Sequence, residues 1–156
     1  MDHAMHHDHE DGSSLTRTAI SATLHCLTGC AIGEVLGMAL ATALGWGNTA
    51  SIAASVTLAF VFGYALTSIP LFKAGLSLRQ VAGLALAADT FSIATMELLD
   101  SLTILIVPGA MDAGLDDVLF WGSMAGALFI AFWAAVPVNR WLISRGKGHA
   151  VVHAYH

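Results

Sequence analysis

The segment LHCLTGCAIGEVLGM, residues 24–38, places His25, Cys26, Cys30, Glu34 and Met38 inside a long apolar run. The last four are spaced by four, so on a helix they form a ridge whose neighbours stand one above another. Adjacent members of such a ridge can share one ligand. Thiolate and thioether favour Cu(I), whereas imidazole suits copper, zinc or nickel. His25 lies about a hundred degrees round the helix from Cys26, where it would complete a site at a helix seam. A disulfide between Cys26 and Cys30 is not expected, because regular helix geometry holds them too far apart. The competing explanation is packing, since cysteine serves as a small core residue and methionine as a gap filler.

A second apolar run, VAGLALAADTFSIATMELLDSLTILIV, carries Asp89, Met96, Glu97 and Asp100. Offsets of seven, eight and eleven from Asp89 keep these side chains on one side of a helix. With Glu34, four carboxyl groups lie within apolar runs. Each ionised acid near a bilayer centre costs roughly 2.5–3.5 kcal/mol on insertion scales, so together they approach about 10–14 kcal/mol. No Lys or Arg lies deep in any run, and only His25 offers an ion pair. The acids must then be protonated, hydrogen-bonded to hydroxyls or backbone, or facing an external cation in a wet cavity. Intramembrane acids usually mark a cation or proton path. The expected metal ligands are therefore His25, Cys26, Cys30, Glu34, Met38, Met96 and Glu97, with Asp89 and Asp100 in a cation or proton pathway.

The elements that position these residues follow from composition. Of 156 residues, 56% are hydrophobic and only 11% charged, with a mean hydropathy of +0.72. Soluble domains carry about 25% charge, so a water-facing surface is out of reach. Four apolar runs, 19–44, 52–72, 81–107 and 118–143, are each long enough to cross a bilayer. The expected fold is all-α, a polytopic four-transmembrane-helix bundle in the cell membrane, with lipid as its solvent. Nucleic acid is excluded as a partner, because no basic patch exists. The first seventeen residues are polar and acidic, unlike a cleavable signal.

All six Lys and Arg fall at the N-terminus, between the second and third runs, or at and beyond the end of the fourth. In a four-span chain these segments share one side, which the positive-inside rule makes cytoplasmic, with both termini. Residues 1–17 then form a disordered His-rich tail, 18–143 the membrane domain, and 144–156 a second His-containing tail. His3, His6, His7 and His9, interleaved with acids, have the composition of a metal-collecting entrance. By rise per residue, Cys26 and Asp89 share an inner depth, and Glu34, Met96, Glu97 and Met124 an outer one. Gly29, Gly33 and Gly37 form a doubled GxxxG stripe. Such stripes allow close helix approach within a chain or between copies, so a homo-oligomer is a further expectation.

The HC-xxx-C motif followed by IGEVLGM, His25 to Met38, resembles a bacterial membrane family labelled domain of unknown function 4396. The resemblance spans about residues 15–145. It implies a small four-helix membrane protein and carries no activity to transfer.

The chemistry thus points to a non-enzymatic membrane protein that binds or moves a transition-metal cation, copper favoured and zinc second. One alternative is a proton- or cation-conducting channel or carrier with structural cysteines. Another is an assembly subunit whose buried polar groups hold helices together. An enzyme is disfavoured, because no nucleophile–base pair or cofactor fingerprint is present.

Overall fold

The computed structural model describes residues 4–145, the side chains of residues 4–11 excepted. Four helices follow in order: α1 (Ala4–Leu44), α2 (Asn48–Lys73), α3 (Leu78–Ile106) and α4 (Val118–Ser144), with a 3-10 turn at Ala110–Asp112 before α4. All four helices are long and apolar enough to cross a bilayer, which fits a multi-pass membrane protein. Large apolar side chains such as Leu24, Phe91, Ile106, Phe129 and Trp133 are exposed along their outer faces. An apolar surface of this extent suits lipid rather than water.

α1 is longer than its apolar run. It begins at Ala4 and so passes through most of the segment expected from sequence to be disordered. That segment contains no proline, and its only glycine is Gly12, so nothing in it terminates a helix that the membrane span already nucleates. The side chains of His6, His7 and His9, all of His3, and the C-terminal tail from residue 146 lie outside the described residues. The metal-collecting expectation lies there with them.

The turns are short and chemically specified. α1 and α2 each end with a glycine in the left-handed region, Gly45 at φ 65° and Gly75 at φ 83°. At the first, Trp46 N–H reaches back to the Ala41 carbonyl at 2.9 Å and Gly45 N–H to Thr42 at 3.3 Å. This six-to-one, five-to-two pairing closes the orphan carbonyls of the helix end. α3 opens on a Ser77–Gln80 capping box. α4 opens on Asp117, whose carboxylate accepts from Leu119 N–H at 2.8 Å.

Short connections make consecutive helices antiparallel neighbours, and α1 also packs against both α3 and α4. Its closest partner is α2. A Cβ placed on Gly29 would lie 2.7 Å from Gly63 Cα, and one on Gly33 would overlap the Ala59 backbone. One on Gly37 would press on Ser55. The small-residue stripe is therefore consumed inside the chain, against α2, and is not free to join a second copy. Backbones this close gain dispersion contacts, which drive helix association where lipid offers no hydrophobic force.

Candidate functional site

Two polar layers cross the middle of the bundle. The inner layer joins all four helices. The Cys26 thiol donates to Asp89 Oδ1 at 3.7 Å, from α1 to α3. Thr67 of α2 lies beside Asp89, and Ser92 lies beside Cys26. From α4, Asn139 Nδ2 donates to Ser92 Oγ at 2.9 Å and to Thr23 Oγ1 at 2.8 Å. Each of these six side chains is at most 1% exposed. The layer is a buried polar plate.

The outer layer is acidic. Glu34 of α1 and Asp100 of α3 face one another, and Glu97, one turn before Asp100, adjoins Cys30. The three carboxyls are 8%, 2% and 5% exposed in the order Glu34, Asp100, Glu97. One oxygen of each is buried without a hydrogen-bond partner among the described residues: Glu34 Oε2, Asp100 Oδ1 and Glu97 Oε1. An unsatisfied buried polar atom is costly. The cost is tolerable where a cation, a proton or water visits.

There is room for one. Glu34, Glu97 and Asp100 line a cavity of about 350 Å³ that continues past Met38, Ser51 and Ser123 to Trp46, Met111 and Asp112. Its far end is formed by the α1–α2 connection and the 3-10 turn. Among the described residues, no Lys, Arg or His lines it. Lys73, Arg79, Arg140 and Arg145 all sit at the other end of the bundle, by helix order.

The residues expected to bind metal are thus divided rather than gathered. Glu34, Met38, Glu97 and Asp100 line the cavity. Cys26, Cys30 and Met96 lie beneath it in one apolar cluster with Ile93 and Ala59. Asp89 belongs to the inner plate. His25 is half-buried and does not line the cavity. Among the described residues no three His, Cys, Asp or Glu side chains converge closely enough to form a metal-binding group. The four-residue ridge drifts round α1 as it rises, so its lower members face α3 and α4 while Met38 reaches the cavity mouth.

Three participants were not legible in sequence. Met111 and Asp112 sit in PGAMDAGLDD, which reads as a connection. Asn139 precedes Arg140 at the end of the fourth run and looks interfacial, yet it is 1% exposed. An amide in an apolar run was the available signal.

A family model described as "Domain of unknown function (DUF4396)" matches residues 16–148. The chain belongs to this family. The match covers α1 from residue 16 onward, all of α2, α3 and α4, and both polar layers. No curated protein and no solved structure matches the DUF4396 chain, so its function is argued from the site alone.

Proposed function

We propose that this DUF4396 protein is a non-enzymatic, multi-pass protein of the cell membrane that binds or moves a transition-metal cation, copper favoured. Its site is the acid-lined cavity between α1 and α3. The observation that carries the proposal is the set of unpartnered oxygens on Glu34, Glu97 and Asp100 bordering a cavity without basic residues among those described. Once they give up their protons, three acids with no counter-charge of their own create a strongly negative field in a low-dielectric setting, so a cation enters in exchange for protons. A cation entering the cavity relieves that field, without all three carboxyls having to ligate it at once. The Cys30 and Cys26 thiols lie next along the α1–α3 seam, below the carboxyls, and continue the polar file toward Asp89.

Elemental analysis of detergent-purified protein lacking residues 1–17 tests the proposal, after loading with copper or zinc and removal of free ion. Bound metal that is lost in Glu34→Gln/Asp100→Asn supports it. A metal-free wild type after loading defeats it.

A second reading is favoured by one observation. The Cys26 thiol is a hydrogen-bond donor to Asp89 within the buried plate, which suits a cysteine that packs and relays rather than ligates. The chain would then conduct protons or small cations through the carboxyl file, with both thiols structural. Proton or alkali-cation flux in proteoliposomes free of copper and zinc, lost in Asp89→Asn, distinguishes this case.

A further inference from the structure

We propose that the cavity is a capture site for Cu(I), with the thioethers of Met38, Met111 and Met124 as its soft ligands, open on the face where the 3-10 turn lies. This rests on the cation-binding reading above and specifies its substrate, ligands and side of access.

Three of the six methionines in the chain line this one cavity. They come from α1, the 3-10 turn and α4, so no helical periodicity brings them together. Met124 belongs to a small buried cluster with Ala113 and Phe120, and Met38 packs against that same cluster. Met111 precedes Ala113 by two residues on a turn anchored by the buried Ala110 and Ala113. Gap filling explains Met96, which is 0% exposed in the closed core. It does not explain three flexible thioethers bordering open volume.

Ligand chemistry narrows the ion. Zinc favours four nitrogen, sulfur or carboxylate ligands in a tetrahedron, and among the described residues no such trio of His, Cys, Asp or Glu converges. Magnesium and calcium take oxygen shells and gain nothing from sulfur. Cu(I) accepts neutral thioethers and needs no fixed oxygen cage. The buried oxygens of Glu34, Glu97 and Asp100 on the cavity wall supply the negative field that thioethers lack.

Access follows from charge. The cavity reaches Asp112, on the connection that also carries Asp116 and Asp117, at the end opposite Lys73, Arg79, Arg140 and Arg145. Positive-inside reasoning makes that end non-cytoplasmic. Copper is captured there.

The test is anaerobic competition of the full chain in detergent against the Cu(I)–bicinchoninate complex, with zinc binding measured in parallel. Wild type should withdraw one equivalent of Cu(I). Met111→Leu should weaken binding at least tenfold, and Met38→Leu/Met111→Leu/Met124→Leu should abolish it. Unchanged Cu(I) affinity in a folded triple variant overturns the inference. Should the triple variant not fold, unchanged affinity in Met111→Leu overturns it instead, since that half-buried turn residue is dispensable for packing. Wild type that binds zinc but no Cu(I) also overturns it. Glu34→Gln/Asp100→Asn separates the two proposals: loss of all cation binding there, with the leucine variants unaffected, leaves the acidic site standing and removes the thioethers.

Discussion

Cys26 of α1 and Asp89 of α3 are joined by a thiol-to-carboxyl hydrogen bond of 3.7 Å, in a layer where both side chains are at most 1% exposed. A thiol already donating to a carboxyl would have to lose that proton and its partner before it could bind metal as a thiolate. The acids of the cavity, by contrast, have oxygens to spare. The division decides which substitutions should matter for binding and which for stability.

The thiols come first. Cys26→Ser/Cys30→Ser retains a donor of similar size at each position. Cation affinity at the cavity is expected to stay within about twofold of wild type, by elemental analysis or competition. Cys26→Ala removes the donor and should lower unfolding free energy by about 0.6 kcal/mol, the average worth of one hydrogen bond within a membrane bundle. Metal binding that collapses in the double serine variant would return the thiols to the ligand set.

Asp89 is the matching case on α3. It lies beneath the cavity, so Asp89→Asn should leave equilibrium binding at Glu34 and Asp100 unchanged. Movement of the ion or proton through the chain should fall at least tenfold, because the acid of the inner plate has become neutral. Proteoliposomes loaded with a metal- or pH-sensitive dye read this directly. Wild-type flux in this variant would place the path elsewhere.

How far such assignments were legible in the sequence depends on the interaction concerned. Four apolar runs, with Lys and Arg kept to their ends and the connections, fixed the helix number, because bilayer thickness leaves no other solution. Offsets of seven, eight and eleven placed Met96, Glu97 and Asp100 on one face with Asp89, and all four are buried. What periodicity could not supply was the rotation of one helix against another. That rotation sends Cys26 and Cys30 into the core, Met38 to the cavity mouth, and the glycine stripe onto α2. Met111 was invisible for a different reason: a 3-10 turn has no repeating face to read.

The glycine stripe gives a sharp packing prediction. Gly33→Val places a branched side chain where the Ala59 backbone already lies. α1 and α2 must separate, and a loss of at least about 3 kcal/mol is expected, consistent with severe overpacking. Gly126 on α4 has open space where a methyl group would stand, with nothing within 4 Å. Gly126→Ala should therefore change stability by no more than about 0.5 kcal/mol, or raise it slightly through helix propensity. Thermal unfolding in one detergent compares the pair. Equal effects would mean that α1 and α2 do not approach as described.

Asn139 provides the last test, because it holds α4 to both α1 and α3. Its amide nitrogen has two protons, and both are used, one on Thr23 and one on Ser92. Asn139→Leu keeps the volume roughly constant, removes both bonds and leaves two hydroxyls to find other partners. Thr23 already donates to the Ala19 carbonyl at 2.8 Å, so it loses only an accepted bond. Membrane hydrogen bonds average about 0.6 kcal/mol and reach about 1.7, which gives an expected loss of about 1–2 kcal/mol for the pair. A double-mutant cycle with Thr23→Val isolates the α1–α4 contact and should return a coupling of about 0.5–1.5 kcal/mol. Cation affinity at the cavity should not change, because Asn139 belongs to the inner plate. Coupling near zero, or a variant that loses the cation, would mean that the plate and the cavity are not the separate layers described.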